Sequence, residues 1–160
     1  MFLNNQILLG FHIIRNYSVS SATYITCSLV IKHAPSRTQR PVWHIQYTDW
    51  PDHGCPLNLQ GFINFMEQID SVRRLALNEQ PPERSRNSPT LIHCSAGVGR
   101  TGVVMLCDIL FYSLDHNETV DIPKVLTQLR LQRMLTVQTL AQYKFVYAIL
   151  IQYLKNSRLI

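Results

Sequence analysis

Between His93 and Gly102 the chain reads HCSAGVGRTG, in which five residues, two of them glycine, separate a thiol from a guanidinium. That spacing suits a strand that ends in a tight loop and runs into a helix. The backbone N–H groups of such a loop point inward, and the first helical turn leaves more of them free, so together they cradle an anion. Gly97 and Gly99 let the backbone curl without Cβ clashes. Arg100 adds a planar fork matched to two phosphate oxygens. The field that holds a phosphate also favours a thiolate, since helix N-termini and nearby cations lower a cysteine's pKa. The loop can therefore bind a phosphoryl group and arm the atom that attacks it. A lone cysteine is more often buried and inert, but the glycines and arginine at these offsets argue for chemistry. A nucleotide P-loop is excluded, because no Gly-Lys-Ser/Thr closes the run.

Thiolate attack on a phosphate ester needs an acid for the leaving oxygen. A tyrosine phenol has a pKa near ~10, so its anion leaves poorly unless protonated. The stretch WPDHG supplies Asp52, after Pro51 and close to Gly54, in a loop able to close over a site. Pro-Asp-x-Gly also favours ordinary turns. On its own residues Asp52 is equally a turn aspartate; beside the thiolate loop the acid is the better reading.

These residues need elements to position them. Residues 23–33 alternate, with Ile25, Cys27, Leu29 and Ile31 on one face, and so do Trp43, Ile45 and Tyr47 of PVWHIQY. Period two predicts two strands joined by the polar loop APSRTQR. TDWPDHGCP is a loop. From Asn58 to about Leu77, Leu59, Phe62, Ile63, Met66, Ile69 and Val72 recur at helical spacing, opposite Glu67, Asp70 and Arg74. NEQPPERSRNSP is a solvated connector, and TLIH is a short strand ending at Cys94. TGVVMLCDILFYSL is apolar nearly all round, which predicts a buried helix. Asp121 resembles an N-cap with Pro123 in the first turn and a stripe of Val125, Leu126 and Leu129. A last helix from about Thr139 carries Tyr143, Val146, Tyr147, Leu150 and Leu154 on one face. The expected class is α/β or α+β: a mixed, twisted β-sheet flanked by helices.

The 160 residues fit one domain, and 46% hydrophobic against 16% charged residues marks a globular chain. The net charge of +5 suits anionic partners. It is scattered, without a basic stripe of interleaved aromatics, so no nucleic acid is expected. Cys27, Cys55, Cys94 and Cys107 form neither a CxxC pair nor a ligand cluster with histidines. Without a secretory signal they read as reduced cytosolic thiols. The apolar start MFLNNQILLGFHII lacks a basic n-region and a cleavage site. FVYAILIQYL is too short to span a bilayer. A soluble cytoplasmic protein with no membrane span is expected.

HCSAGVGRTG, YTDWPDHGCP and QRMLTVQTLAQYKFVY, in this order, resemble the phosphate-binding, acid and glutamine loops of the phosphotyrosine-specific protein tyrosine phosphatases. The likeness runs from about Phe11 to the C-terminus and is nearest to the non-receptor members that carry a FERM domain. It implies the cysteine-dependent tyrosine phosphatase fold, N-terminally incomplete, with residues 11–160 a partial catalytic domain and residues 1–10 unassigned. It implies that Cys94 is the nucleophile of a cysteinyl-phosphate intermediate, that Arg100 holds the phosphate, and that Asp52 serves first as acid and then as base. Gln138 would position the hydrolytic water with help from Gln142, and Thr101 would offer its hydroxyl to the departing thiolate. Ser95, Ala96, Gly97, Val98 and Gly99 would supply amides, His93 would orient the loop, and Trp50 would be a hinge of the acid loop. On the residues alone, His93 is as well a satisfied strand-end histidine and Gln138 a plain helix-start residue. Phosphotyrosine-containing proteins are the implied partners, with cytoskeletal or junctional association; no cofactor and no metal is implied.

The pattern departs from the family upstream. The tyrosine loop that stacks on the substrate ring has no equivalent, since RNY at Arg15–Tyr17 has the wrong order, and the glutamate that supports the arginine is missing as well. Weak phosphatase activity is therefore the expectation. A weakly active or inactive phosphotyrosine-binding or scaffold remnant is the alternative. The acid and glutamine loops speak against a dual-specificity or lipid phosphatase.

Overall fold

The alternating N-terminal third forms sheet and the longer apolar periods form helix. A computed structural model of the chain describes residues 6–78 and 89–157. The chain divides into two units, residues 1–50 and residues 51–160.

The first unit is a four-stranded antiparallel sheet of β1 (Gln6–Leu8), β2 (Phe11–Ser20), β3 (Tyr24–His33) and β4 (Thr38–Tyr47), in that order. The β1–β2 turn places Leu9 at φ 49° and Gly10 at φ 82°. Two successive positive φ values match the right-handed twist of a two-residue hairpin. Neither β1 nor β2 was anticipated in the apolar N-terminal run. β4 starts three residues before Pro41, because Thr38 and Gln39 pair with His33 and Lys32 and so take part of the expected polar loop into the ladder. Pro41 lies opposite Val30 on this edge strand, where a missing N–H is tolerated. Trp50 packs edge-on against Tyr47, with ring centroids 6.3 Å apart. Burial, and secondarily the charge of Asp49, pushes the Tyr47 phenol up to about 12.

Two expectations need correction. Among the described residues every strand pair is antiparallel, not mixed. The strand predicted at TLIH is irregular backbone leading into Cys94. A strand exists only by pairing, and no described strand runs beside residues 90–93.

The second unit is built from α1 (Leu59–Asn78), α2 (Gly99–Asp115), α3 (Ile122–Gln132) and α4 (Leu140–Asn156). The predicted connector is almost wholly residues 79–88, outside the described residues. Phe62 and Ile63 of α1, Val103, Leu106, Cys107 and Leu110 of α2, and Val146 and Ile149 of α4 are fully buried. The near-uniform apolarity of α2 thus has its cause: this helix is the centre of the unit. The Phe62 ring meets Phe145 edge to face at 5.2 Å. Arg73 Nη2 of α1 donates to both carboxylate oxygens of Asp108 of α2, at 3.0 and 3.2 Å. About a third of each side chain is exposed, so the pair contributes at most about 1 kcal/mol.

Asp121 caps α3 by accepting from the Lys124 N–H at 2.9 Å. Thr139 caps α4 in a capping box with Gln142. The box draws Gln142 inward, and the buried stripe of α4 is Gln142, Phe145, Val146, Ile149 and Leu150. Tyr143 and Tyr147, predicted on that stripe, lie on its flank with their hydroxyls 3.0 Å apart.

Replacing Phe62 by Ala should lower the unfolding free energy by about 3–5 kcal/mol, the cost of a large core cavity. Urea unfolding should show a lower midpoint at unchanged slope. An unchanged midpoint would place the core elsewhere.

Candidate active site

The site grows from the N-terminal end of the buried helix α2. Cys94 opens a loop that turns through Gly97 at φ 68°, a left-handed backbone that favours glycine. Val98 is the N-cap of α2 and brings no side-chain cap to the first helical turn. The loop folds back on its own cysteine: Cys94 Sγ accepts from the Gly97 N–H at 3.2 Å and from the Thr101 hydroxyl at 3.2 Å. Burial of the sulfur opposes ionisation. The Thr101 hydroxyl and the backbone N–H groups of Thr101, Gly97 and Val98 outweigh it and bring the thiol down to about 7. Cys107 is wholly buried and Cys55 partly so, and burial pushes both thiols up. The acidity belongs to the loop, not to cysteine as such.

Other segments close around this loop. Arg100, the second residue of α2, donates from Nη2 to the Pro51 carbonyl at 3.0 Å and so ties the loop of Asp52 to the cysteine loop. Arg133 Nη2 donates to the Ala96 carbonyl at 3.3 Å. The Val98 carbonyl accepts from the Gly102 N–H at 3.0 Å and from the Val137 N–H at 3.1 Å. Gly102 permits this approach, since a Cβ there would come 2.4 Å from the Val137 nitrogen. At Gly99 a Cβ would meet Gln142 Nε2 at 2.8 Å.

A thiol of lowered pKa at a helix N-terminus, with an arginine in the first helical turn, suits a nucleophile for a phosphoryl group. The protein-tyrosine phosphatase family model matches residues 8–152. The chain belongs to the protein-tyrosine phosphatase family. It is 54% identical over 158 residues to tyrosine-protein phosphatase non-receptor type 21 of Rattus norvegicus, covering 98% of this chain and 13% of that protein. It is 51% identical over 150 residues to the non-receptor type 14 enzyme of Homo sapiens, covering 94% and 13%. With the type 20 protein of Mus musculus the identity is 38% over 127 residues, 79% of this chain and 27% of that protein. The chain therefore spans about an eighth of the length of the first two relatives.

Among the residues expected in a phosphatase site, Cys94, Gly97, Val98, Arg100 and Thr101 meet in one loop and helix turn. Gly99 is the first residue of α2. Ser95, Ala96 and His93 are exposed on the way into or around the loop. Asp52 is exposed and is linked to the loop through its neighbour Pro51. Gln138 is exposed next to the buried Gln142, whose Oε1 accepts from the Gln138 N–H at 2.8 Å and the Thr139 N–H at 3.3 Å. Gln142 thereby holds the glutamine loop through its backbone. Among the described residues no group of three or more His, Cys, Asp or Glu gathers as a metal site, and no helix is long and apolar enough to cross a membrane.

Sequence reasoning missed Arg130 and Arg133. Their bonds go to carbonyls in other loops, which leave no periodic trace. The one available signal was their position at the C-terminal end of a helix, where arginines reach free carbonyls.

The alkylation rate of Cys94 by iodoacetamide should rise with pH, reach half its maximum near about 7, and level off above it. Thr101→Val removes a donor to the thiolate and should move the half-point upward. An unmoved half-point would show that the hydroxyl does not hold the charge.

Proposed function

We propose that the chain is part of the catalytic domain of a protein tyrosine phosphatase, with residues 11–160 in that domain, and that it hydrolyses phosphotyrosine in proteins. The observation that carries this reading is the low-pKa Cys94 thiol in a loop whose N–H groups and Thr101 hydroxyl point at its sulfur. Cys94 attacks phosphorus as the thiolate, and the tyrosyl oxygen leaves with the bonding pair and takes a proton from Asp52. Arg100 and the amides of Ser95–Gly99 hold the equatorial oxygens, where charge accumulates. Water positioned by Gln138 then attacks phosphorus and gives its proton to the Asp52 carboxylate. The P–S electron pair returns to Cys94, stabilised by the Thr101 hydroxyl. His93 and Trp50 act on the cysteine and acid loops. A cytoplasmic place with cytoskeletal association follows from the resemblance to FERM-bearing members.

Cys94→Ser should abolish turnover and leave phosphate affinity largely intact, because the cradle is backbone and Arg100. Equal loss of both would make Cys94 structural.

Asp52→Ala should lower kcat on phosphotyrosine peptides by ~10²–10⁴, the usual range for general acid catalysis. An aryl phosphate with an acidic phenol needs little protonation and should lose far less. Loss independent of the leaving group would remove Asp52 from the acid role. Clear binding of phosphotyrosine peptides by the wild-type chain without turnover would instead identify a scaffold.

A further inference from the structure

Val137 adopts φ 57°, although it is branched at Cβ and its side chain is 1% exposed. Left-handed backbone is a strained state for such a residue and persists only where the surroundings over-determine it. Both peptide groups that flank its Cα are held at both ends. In the Thr136–Val137 peptide, the carbonyl accepts from Arg130 Nε at 2.9 Å and the N–H donates to the Val98 carbonyl at 3.1 Å. In the Val137–Gln138 peptide, the carbonyl accepts from Arg130 Nη2 at 2.8 Å and the N–H donates to Gln142 Oε1 at 2.8 Å. One guanidinium thus supplies two of the four restraints, and the second clamped peptide is the one that aims Gln138.

We propose that Arg130 is a positioning residue for the hydrolytic half-reaction: by clamping the peptides on either side of Val137 it sets the direction in which Gln138 leaves its loop. The inference rests on the phosphatase reading of the site. Formation of the phosphocysteine uses Cys94, Arg100 and Asp52, none of which Arg130 touches in the contacts above. Its breakdown uses the water that Gln138 orients: the water oxygen bonds to phosphorus, the P–S pair returns to sulfur, and the proton passes to Asp52. Without Arg130, Val137 relaxes toward negative φ and the Val137–Gln138 peptide rotates. The second step slows and the first does not.

The test compares the full wild-type chain with Arg130→Met, using p-nitrophenyl phosphate, acid quenching and mass measurement of the phosphocysteine. Turnover divided by trapped phosphocysteine is the hydrolysis rate per intermediate and does not depend on the fraction of folded protein. It should fall about tenfold or more in Arg130→Met, equivalent to about 1.4 kcal/mol or more of barrier, with phosphocysteine still formed. Adding Val137→Gly to Arg130→Met should restore much of that rate, since glycine takes positive φ without strain. An unchanged rate per intermediate, or a double variant no faster than Arg130→Met, overturns the proposal. Amide hydrogen exchange gives a readout that needs no turnover: the Val137 and Gln138 N–H groups should exchange faster in Arg130→Met, and unchanged exchange also overturns the clamp. A wild-type chain that forms no phosphocysteine overturns the phosphatase reading, and with it the step assigned to Arg130.

Discussion

The Val98 carbonyl oxygen receives two N–H groups, from Gly102 within its own helix and from Val137 in the loop before α4. The rest of the site depends on this junction. It fastens the cysteine loop, the start of α2 and the glutamine loop at one point, and it has no room for a Cβ at residue 102. Arg130 and Gln142 complete the joint from the other side. Two stretches far apart in sequence, the run from Cys94 to Gly102 and the loop before α4, are thereby joined at one corner by hydrogen bonds in which backbone groups predominate.

Rigidity there serves electrostatics. A donor stabilises a thiolate, or the oxyanions of a phosphoryl group, only if it already points the right way, because reorientation would consume the gain. The donors around Cys94 sit in the loop before, and on the first turn of, a helix whose Val103, Leu106, Cys107 and Leu110 are fully buried. The loop that holds the low-pKa thiol is therefore anchored on the buried central helix of the second unit. The contrast between Cys94 and Cys107, on the loop and the body of the same segment, separates the two effects of burial: without donors it suppresses ionisation, and with them it is outweighed.

Much of this was legible in the sequence, because the relevant signals are local. The offsets among Cys94, Gly97, Gly99 and Arg100 announce a loop before a helix, and Asp121 and Thr139 announce helix starts. Long apolar periods locate α1, α2 and the start of α4 to within a residue or two. What stayed hidden depends on partners. A strand at TLIH reads well from its apolar residues and fails for want of a neighbour. The α4 stripe was set on Tyr143 and Tyr147 because they look apolar, while the buried polar Gln142 is paired with backbone and goes inside. Nothing in the residue type of Val137 foretells a left-handed backbone, since only the bonds from Val98, Arg130 and Gln142 enforce it.

The proline in β4 matters beyond its own ladder. Among the described strands β4 forms one border of the sheet, and such a border is a ready template for strands of other molecules. Pro41 has no N–H to offer an incoming chain, and the exposed Arg40 beside it adds a charge on the same strand. An approaching strand would find two short pairing segments in place of one continuous run of ten residues. The border is thus poorly suited to seeding intermolecular sheet growth, because Pro41 interrupts the row of N–H groups that an incoming strand would need.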